Sequence, residues 1–435
     1  MKASAWLIPL LAGVTLQLEA AEPWTLEHSL SYALTHNPDA RLAQHRIAVA
    51  NAGLQQANSA FWPRLEAQSS YIRTDNPMQV FGSILNQRAY NTALNFNDVP
   101  DVDDLNARGL ITVPLYAGGR NVANRDASKA NAQAEHMSRD AVQNELAFEV
   151  VRAYQTILKT REFIRAADAS INAFEGNLSV AKKRLAAGTL LKSEVLDVEV
   201  RLAQARENSV RAHSANELAE RALQNLLGIE EGEFVVADNA PEIRPPIGCD
   251  SSQRPELMSA SQRECAAQAE VRGSRSGFLP TVNAFGSLDY DYGWVTRGDG
   301  KSYTAGVLAR WDLWDGFATR AKVREAKANL EMAREEQRKL RLAIKLEFEE
   351  ARLNLQMANE RLSVTEKSVD QADESASLTR KRFEQGLALS TQLLDAETAL
   401  VSARVNRAEA QADRQISAAA LRKALALPQL DSAPQ

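Results

Sequence analysis

The sequence predicts a mainly α fold with a small β part, built from one unit written twice in a single chain. Three observations predict it. A set of short motifs recurs at a constant offset, two very long stretches lack helix breakers, and two pairs of short segments alternate with period two.

The duplication organises the rest of the chain. Arg184-Leu-Ala-Ala-Gly188 and Val195-Leu-Asp197-Val-Glu199 reappear 198 residues later as Arg382-Phe-Glu-Gln-Gly386 and Leu393-Leu-Asp395-Ala-Glu397. The register runs without a gap from Leu115-Tyr116-Ala117-Gly118, facing Leu313-Trp314-Asp315-Gly316, to Ala205-Arg206, facing Ala403-Arg404. Upstream, Phe61-Trp62-Pro63 faces Phe278-Leu279-Pro280 and Pro38 faces Pro255, both at an offset of 217, so the first copy carries 19 extra residues between about 72 and 107. The expected organisation is a first repeat over 21–228, a Pro-rich linker over 229–254, a second repeat over 255–427 and a tail over 428–435.

Each copy should hold a helix, two strands and two further helices. Asn37-Pro38-Asp39 supplies a capping side chain, a preset φ and an acid at the positive end of the dipole, and that helix should stop by Pro63, its partner by Pro280. Between Phe317 and Gln385 there is neither Gly nor Pro, and between Arg120 and Ala187 only Gly176, which predicts two helices about 100 Å long. Leu340, Ile344, Phe348, Ala351, Leu355, Ala358, Leu362, Thr365, Val369, Ala372, Ala376, Thr379 and Phe383 follow one another at steps of three or four. The first copy repeats the stripe from Val142 to Leu185, which reads as a coiled-coil seam. Gly188 and Gly386 sit where each helix must turn back, in the left-handed conformation that glycine accepts.

The strands are expected at about 64–72, 107–116, 281–294 and 302–314. Val282, Ala284, Gly286, Leu288, Tyr290, Tyr292 and Trp294 share one face and Asn283, Ser287, Asp289 and Asp291 the other, with Phe285; Tyr303, Val307, Trp311 and Leu313 continue the pattern. Such a split suits one face in lipid or core and the other in water, and aromatic residues gather at the strand ends as in an interfacial girdle. Four strands cannot close a barrel, and an open edge is not tolerated in hydrocarbon. A membrane sheet of this kind therefore requires an oligomer, and three or more chains leave a lumen where two do not.

The N-terminus reads as a cleaved secretory signal over 1–20: Met1-Lys2, an apolar run from Ala5 to Leu16, then Leu18-Glu19-Ala20 with a small residue at the cut. No other apolar run reaches the roughly 20 residues that span a bilayer as a helix. The two cysteines, Cys249 and Cys265, lie far from the cut, so acylation through an N-terminal cysteine is not expected. In an oxidising compartment they form a disulfide worth about 3 kcal/mol, or stay as two thiols. With 51 basic against 56 acidic residues and net charge −5, the chain offers no footprint for nucleic acid. His28, His36, His45, His136 and His213 are scattered without metal-ligand spacing, and no phosphate loop, dinucleotide fingerprint or nucleophile elbow is present. Neither an enzyme nor a metal or cofactor is expected.

Taken in order, the Thr25-Leu26 to Leu34 segment followed by Asn37-Pro38, Pro114-Leu115-Tyr116-Ala117-Gly118-Gly119-Arg120 at a strand-to-helix junction, and the paired Arg-x-x-x-Gly turns with their Leu-Asp-x-Glu sequels resemble the outer membrane efflux proteins, the TolC-like family. The resemblance covers nearly all of the chain after the signal. It implies a homotrimer in the outer membrane of a Gram-negative cell, a twelve-stranded barrel, and a helical tunnel in the periplasm that docks on a periplasmic adaptor (a membrane fusion protein) fed by an inner-membrane pump. It further implies that Arg184, Leu185, Gly188 and Thr189, with Arg382, Phe383, Gly386 and Leu387, form the adaptor-contacting tips. Asp395 matches a position where the family narrows its pore with acidic residues; one turn earlier stands Gln392, and the first copy offers Glu194 and Asp197. Simple helix termination and a solvated helix face are the plain readings of the same residues. Export of small molecules is the expected function, with a type I protein secretion duct or a soluble periplasmic coiled-coil scaffold as alternatives.

Overall fold

The computed structural model describes residues 23–95, 97–231, 234–246 and 253–430. The signal segment, Cys249 with its proposed bridge, and the end of the tail lie outside the described residues. Two helices of 67 residues dominate, α4 (Arg120–Ala186) and α7 (Ala318–Glu384). They fill the two breaker-free stretches to within one residue at each end, because nothing inside them interrupts the i to i−4 ladder. Each turns back into a shorter helix, α5 (Lys192–Leu227) after α4 and α8 (Ser390–Ala424) after α7. The remaining helices are α1 (Leu26–His36), α2 (Pro38–Ser59), α3 (Pro77–Asn86) and α6 (Pro255–Arg275). Asn37 caps α2 as its sequence predicts, its Oδ1 accepting from Asp39 N at 2.6 Å and Ala40 N at 3.4 Å. Its Nδ2 also donates to Leu226 O at 2.8 Å, tying that start to the end of α5.

The helices lie side by side in a fixed lateral order. Next to the sheet the order is α2, α4, α6, α7; in the distal half it is α5, α4, α8, α7. Every inner helix has a neighbour on both sides, while α7 bounds one edge and α2 and α5 the other. The predicted stripe is the seam inside each hairpin: Leu146, Val150, Ile157, Thr160, Ala167, Phe174 and Ala181 are buried on α4, and Ile344, Ala351, Leu355, Ala358, Val369, Ala376 and Phe383 on α7. Midway along the bundle, Tyr154 is fully buried with its hydroxyl within 3.1 Å of the carbonyls of Trp24 and Ala237, which belong to the two irregular segments packed there.

The sheet has the order β1-β2-β3-β4, all antiparallel: β1 (Arg64–Thr74), β2 (Val102–Ala117), β3 (Thr281–Tyr292) and β4 (Asp299–Arg310). Its register separates the two faces. One cross-strand row is Gln68, Arg108, Asp289, Ser302, and the adjacent row on the opposite face is Ala67, Gly109, Leu288, Tyr303. Pro114, which has no N–H for the ladder, stands where the β2–β3 register shifts. Strands β1 and β4 leave their outer edges unpaired.

Three expectations need correction. Trp294 lies in the β3–β4 connection rather than on β3, and Trp311 and Leu313 lie past the end of β4, which starts three residues earlier than expected. The aromatic residues still collect at the two ends: Trp294 packs on Tyr71 and Tyr292, and Trp311 donates to Phe278 O at 3.1 Å. The segment expected as a polar loop over 72–107 instead holds the end of β1, α3 and the first residues of β2. Val80 and Ile84 of α3 bury against Val102, and Gln87, fully buried, donates to Asp103 O at 2.7 Å and to Asp104 Oδ1 at 2.8 Å. The segment is thus a packed cap on one end of the sheet. Among the described residues no helix is long and apolar enough to cross a membrane.

Candidate functional site

The two helical turns farthest from the sheet come together as one end of the molecule. Both are built the same way. Gly188 has φ +74° and Gly386 φ +78°, the left-handed conformation that ends a helix. Gly188 N donates to Leu185 O at 2.9 Å and Thr189 N to Arg184 O at 2.9 Å; Gly386 N donates to Phe383 O at 3.0 Å and Leu387 N to Arg382 O at 2.8 Å. These paired bonds satisfy the last carbonyls of α4 and α7 and reverse the chain within five residues.

The helices that follow start on Leu191 and Leu389, which have no side chain able to cap. Glu194 and Gln392 compensate by reaching back: Leu191 N donates to Glu194 Oε2 at 3.0 Å, and Leu389 N to Gln392 Oε1 at 3.2 Å. Two of the four residues singled out for a pore constriction therefore hold helix starts. The other Glu194 oxygen accepts from Ser390 Oγ at 3.0 Å, joining the two hairpins. The carboxylates of Asp197 and Asp395, one turn farther along, are exposed and make no hydrogen bond or ion pair among the described residues.

Arg184 and Arg382 occupy equivalent positions and differ in partners. Arg184 Nη1 donates to Phe383 O at 3.0 Å, and its guanidinium lies 4.9 Å from the centre of the Phe383 ring, so the first hairpin caps the second. Phe383 is buried in a cluster with Phe174, Ala181, Leu190, Val195 and Leu393, while Leu185, its counterpart, is partly exposed. Arg382, Thr189 and Leu387 are exposed at the turn.

Two features were not assigned from sequence. Leu191 and Leu389 are 69% and 63% exposed, and with Leu387 they give this end an apolar rim. The signal was present: leucine at both helix starts, at the same offset, where a polar cap is the rule. The second is Glu397, part of the quoted Leu-Asp-x-Glu motif, which is buried and bound by Arg380 and, at 3.5 Å, by Asn177 Nδ2. Its counterpart Glu199 pairs with Lys182 at 3.1 Å on the surface.

A family model described as outer membrane efflux protein matches residues 29–229 and 251–427. Protein CyaE of Bordetella pertussis is 25% identical over 70% of this chain and 64% of its own, and the alkaline protease secretion protein AprF of Pseudomonas aeruginosa is 24% identical over 62% and 59%. The chain thus spans about three fifths of the length of these curated relatives. The crystal structure of the Campylobacter jejuni CmeC outer membrane channel superposes with a TM-score of 0.82 at 17% identity, over 94% of this chain and 87% of that one.

Proposed function

The chain belongs to the outer membrane efflux protein family, and from that premise we propose that it is one subunit of a homotrimeric channel exporting small molecules across the outer membrane of a Gram-negative cell. The observation that carries this reading is the pair of open edges. β1 and β4 leave backbone donors and acceptors unpaired, and one face of the sheet presents Leu65, Leu288, Tyr303 and Val307, all more than half exposed. In hydrocarbon only a closed sheet satisfies those groups. Joining β4 of one chain to β1 of the next closes it, and three chains supply twelve strands around a lumen.

The same rotation places three copies of the paired turns at the periplasmic end. There the rim of Leu191, Leu387 and Leu389, with Thr189, suits docking on a periplasmic adaptor that hands over cargo from an inner-membrane pump. In this reading the exposed, unpaired carboxylates of Asp395 and Asp197 form rings favouring cations at the entrance. Glu194 and Gln392 support those rings by fixing the helix starts.

The test is an export assay. In a strain lacking its own channel of this type, the protein supplied with its cognate adaptor and pump should restore resistance to a small toxic compound; no restoration against any compound the pump expels would overturn the reading. A type I secretion duct is the second reading, favoured by the likeness to a protein named for alkaline protease secretion. Restored release of a protein, with no change in resistance, would select it.

A further inference from the structure

We propose that the cavity enclosed by α4, α8 and the segment over 236–243 is a binding site for a small carboxylate bearing hydroxyl or amide groups. The cavity holds about 280 Å³, at the small end of the usual range for ligand pockets. The proposal does not depend on the export reading, because one chain supplies every lining residue.

A side chain without a partner carries the argument. Gln155 of α4 lines the cavity, is only 5% exposed, and makes no side-chain hydrogen bond among the described residues. Buried amides are nearly always bonded, since an unmet donor or acceptor in the interior is unfavourable. One turn along, Lys159 lines the same cavity, partly buried and with no ion pair or hydrogen bond among the described residues. The second repeat shows that the fold itself asks for neither residue. At the 198-residue offset their counterparts on α7 are Leu353 and Met357, which are 54% and 61% exposed. The chain therefore places polar groups at the more buried of two equivalent positions and apolar groups at the more exposed. Packing alone favours the reverse, and a ligand that bonds to Gln155 and Lys159 accounts for the inversion.

Charge and hydrogen-bonding capacity select the ligand. The other charged groups lining the cavity are already paired: Arg161 donates to Asp238 Oδ1 at 2.8 Å and Arg165 to Glu162 Oε1 at 2.5 Å. Lys159 is left as the uncommitted charge of the described lining, which matches one carboxylate. A phosphate monoester would bring close to two negative charges against that single ammonium. The side-chain amides of Gln155, Asn239 and Gln411 are unbonded among the described residues and offer both donors and acceptors, which hydroxyl or amide groups satisfy. Leu158, Ala408 and Ala412 supply an apolar floor.

The walls are held in place without a ligand. Tyr154 Oη lies 3.1 Å from Ala237 O and 3.3 Å from Asn239 O, and Arg161 Nη1 donates to Val236 O at 2.9 Å. On the other side Gln415 Oε1 accepts from Ile243 N at 2.9 Å. These bonds fix the irregular segment across α4 and α8, so little ordering remains to oppose binding.

Isothermal titration calorimetry of the full chain in detergent tests this. The probes are N-acetylmuramic acid, gluconate and N-acetylglycine, each set against a neutral counterpart: N-acetylglucosamine, glucose and N-acetylglycinamide. Saturable heat with at least one carboxylate, and binding of its neutral counterpart weaker by about tenfold or more, is the expected result. Gln155→Leu with Lys159→Met, the residues that the second repeat carries, should abolish that heat. The thermal midpoint of the ligand-free double variant should be unchanged or higher. No saturable heat with any of the three carboxylates overturns the proposal, as does equal binding by the neutral counterpart or by the double variant. A lowered thermal midpoint in the double variant would assign both side chains to packing and overturn it as well.

Discussion

Arg380 holds the buried carboxylate of Glu397 through two nitrogens, Nε at 2.9 Å and Nη2 at 2.6 Å. The equivalent pair in the first copy, Lys182 and Glu199, is exposed and joined at 3.1 Å. One ancestral interaction has two environments. A buried charge that loses its partner costs several kcal/mol, whereas an exposed pair contributes less than about 1 kcal/mol. Arg380→Ala is therefore expected to destabilise by about 3–5 kcal/mol and Lys182→Ala by under about 1 kcal/mol. Thermal unfolding of the detergent-extracted protein followed by circular dichroism checks the ranking, and equal effects would contradict it.

Tyr154 sets an alkaline limit to stability. Burial raises its hydroxyl to about 12, with Arg161 opposing and Asp238 adding to the rise. The ordinary tyrosine value is 10.0, so in the window between 10 and 12 the unfolded chain gives up this proton while the folded chain keeps it. Its contribution is present below pH 10 and is lost as pH rises through that window. Tyr154→Phe should cost about 1 kcal/mol at neutral pH, because the carbonyls of Trp24 and Ala237 lose a donor. It should also flatten the decline between pH 10 and 12. A decline of unchanged steepness in the variant would show that other groups cause it.

Gly300 permits the close approach of the cap around α3. A Cβ built there would lie 1.7 Å from the carbonyl oxygen of Asn86 at the end of α3. Backbone must move to admit even a methyl group, so Gly300→Ala should detach the segment around α3 while the long helices stay folded. Limited proteolysis between residues 75 and 101 reads this directly, and an unchanged cleavage pattern would contradict it.

The docking role proposed for the paired turns is tested at two residues. Bulky substitutions at Thr189 and Leu387, which lie exposed past the two glycines, should abolish export in the resistance assay with trimers still forming in the membrane. Wild-type export by both variants would remove these residues from the adaptor contact. Asp395→Ala is expected to lower the cation preference and raise the conductance of single channels. Unchanged selectivity would place the constriction elsewhere.

The long helices were legible in the sequence because 67-residue elements without breakers leave the periodicity no competitor, and the duplication confirmed each by the other. The turn geometry at Gly188 and Gly386 was equally legible, since glycine accepts the left-handed conformation that commonly ends a helix before the chain doubles back. The cap around α3 was not read, although Asn76-Pro77 repeats the start signal of Asn37-Pro38 and Asn76 Oδ1 accepts from Met78 N at 3.1 Å. Ten residues between polar stretches give too little periodicity to outweigh loop composition. At the tips the family resemblance points to Glu194 and Gln392 as pore residues, and neither resemblance nor spacing shows that the side chain of each accepts from the backbone three residues earlier. The burial of Glu397 was out of reach for the same reason, because its difference from Glu199 arises from where each helix sits in the lateral order.

The central claim is closure of this chain with two copies of itself around a lumen, and single-channel recording in planar bilayers tests it most directly. Protein extracted in detergent and selected at three times the 47.8 kDa chain mass should insert and give discrete, long-lived, cation-preferring steps. Protein that leaves the membrane fraction without detergent, sizes as one chain and produces no conductance would contradict the account.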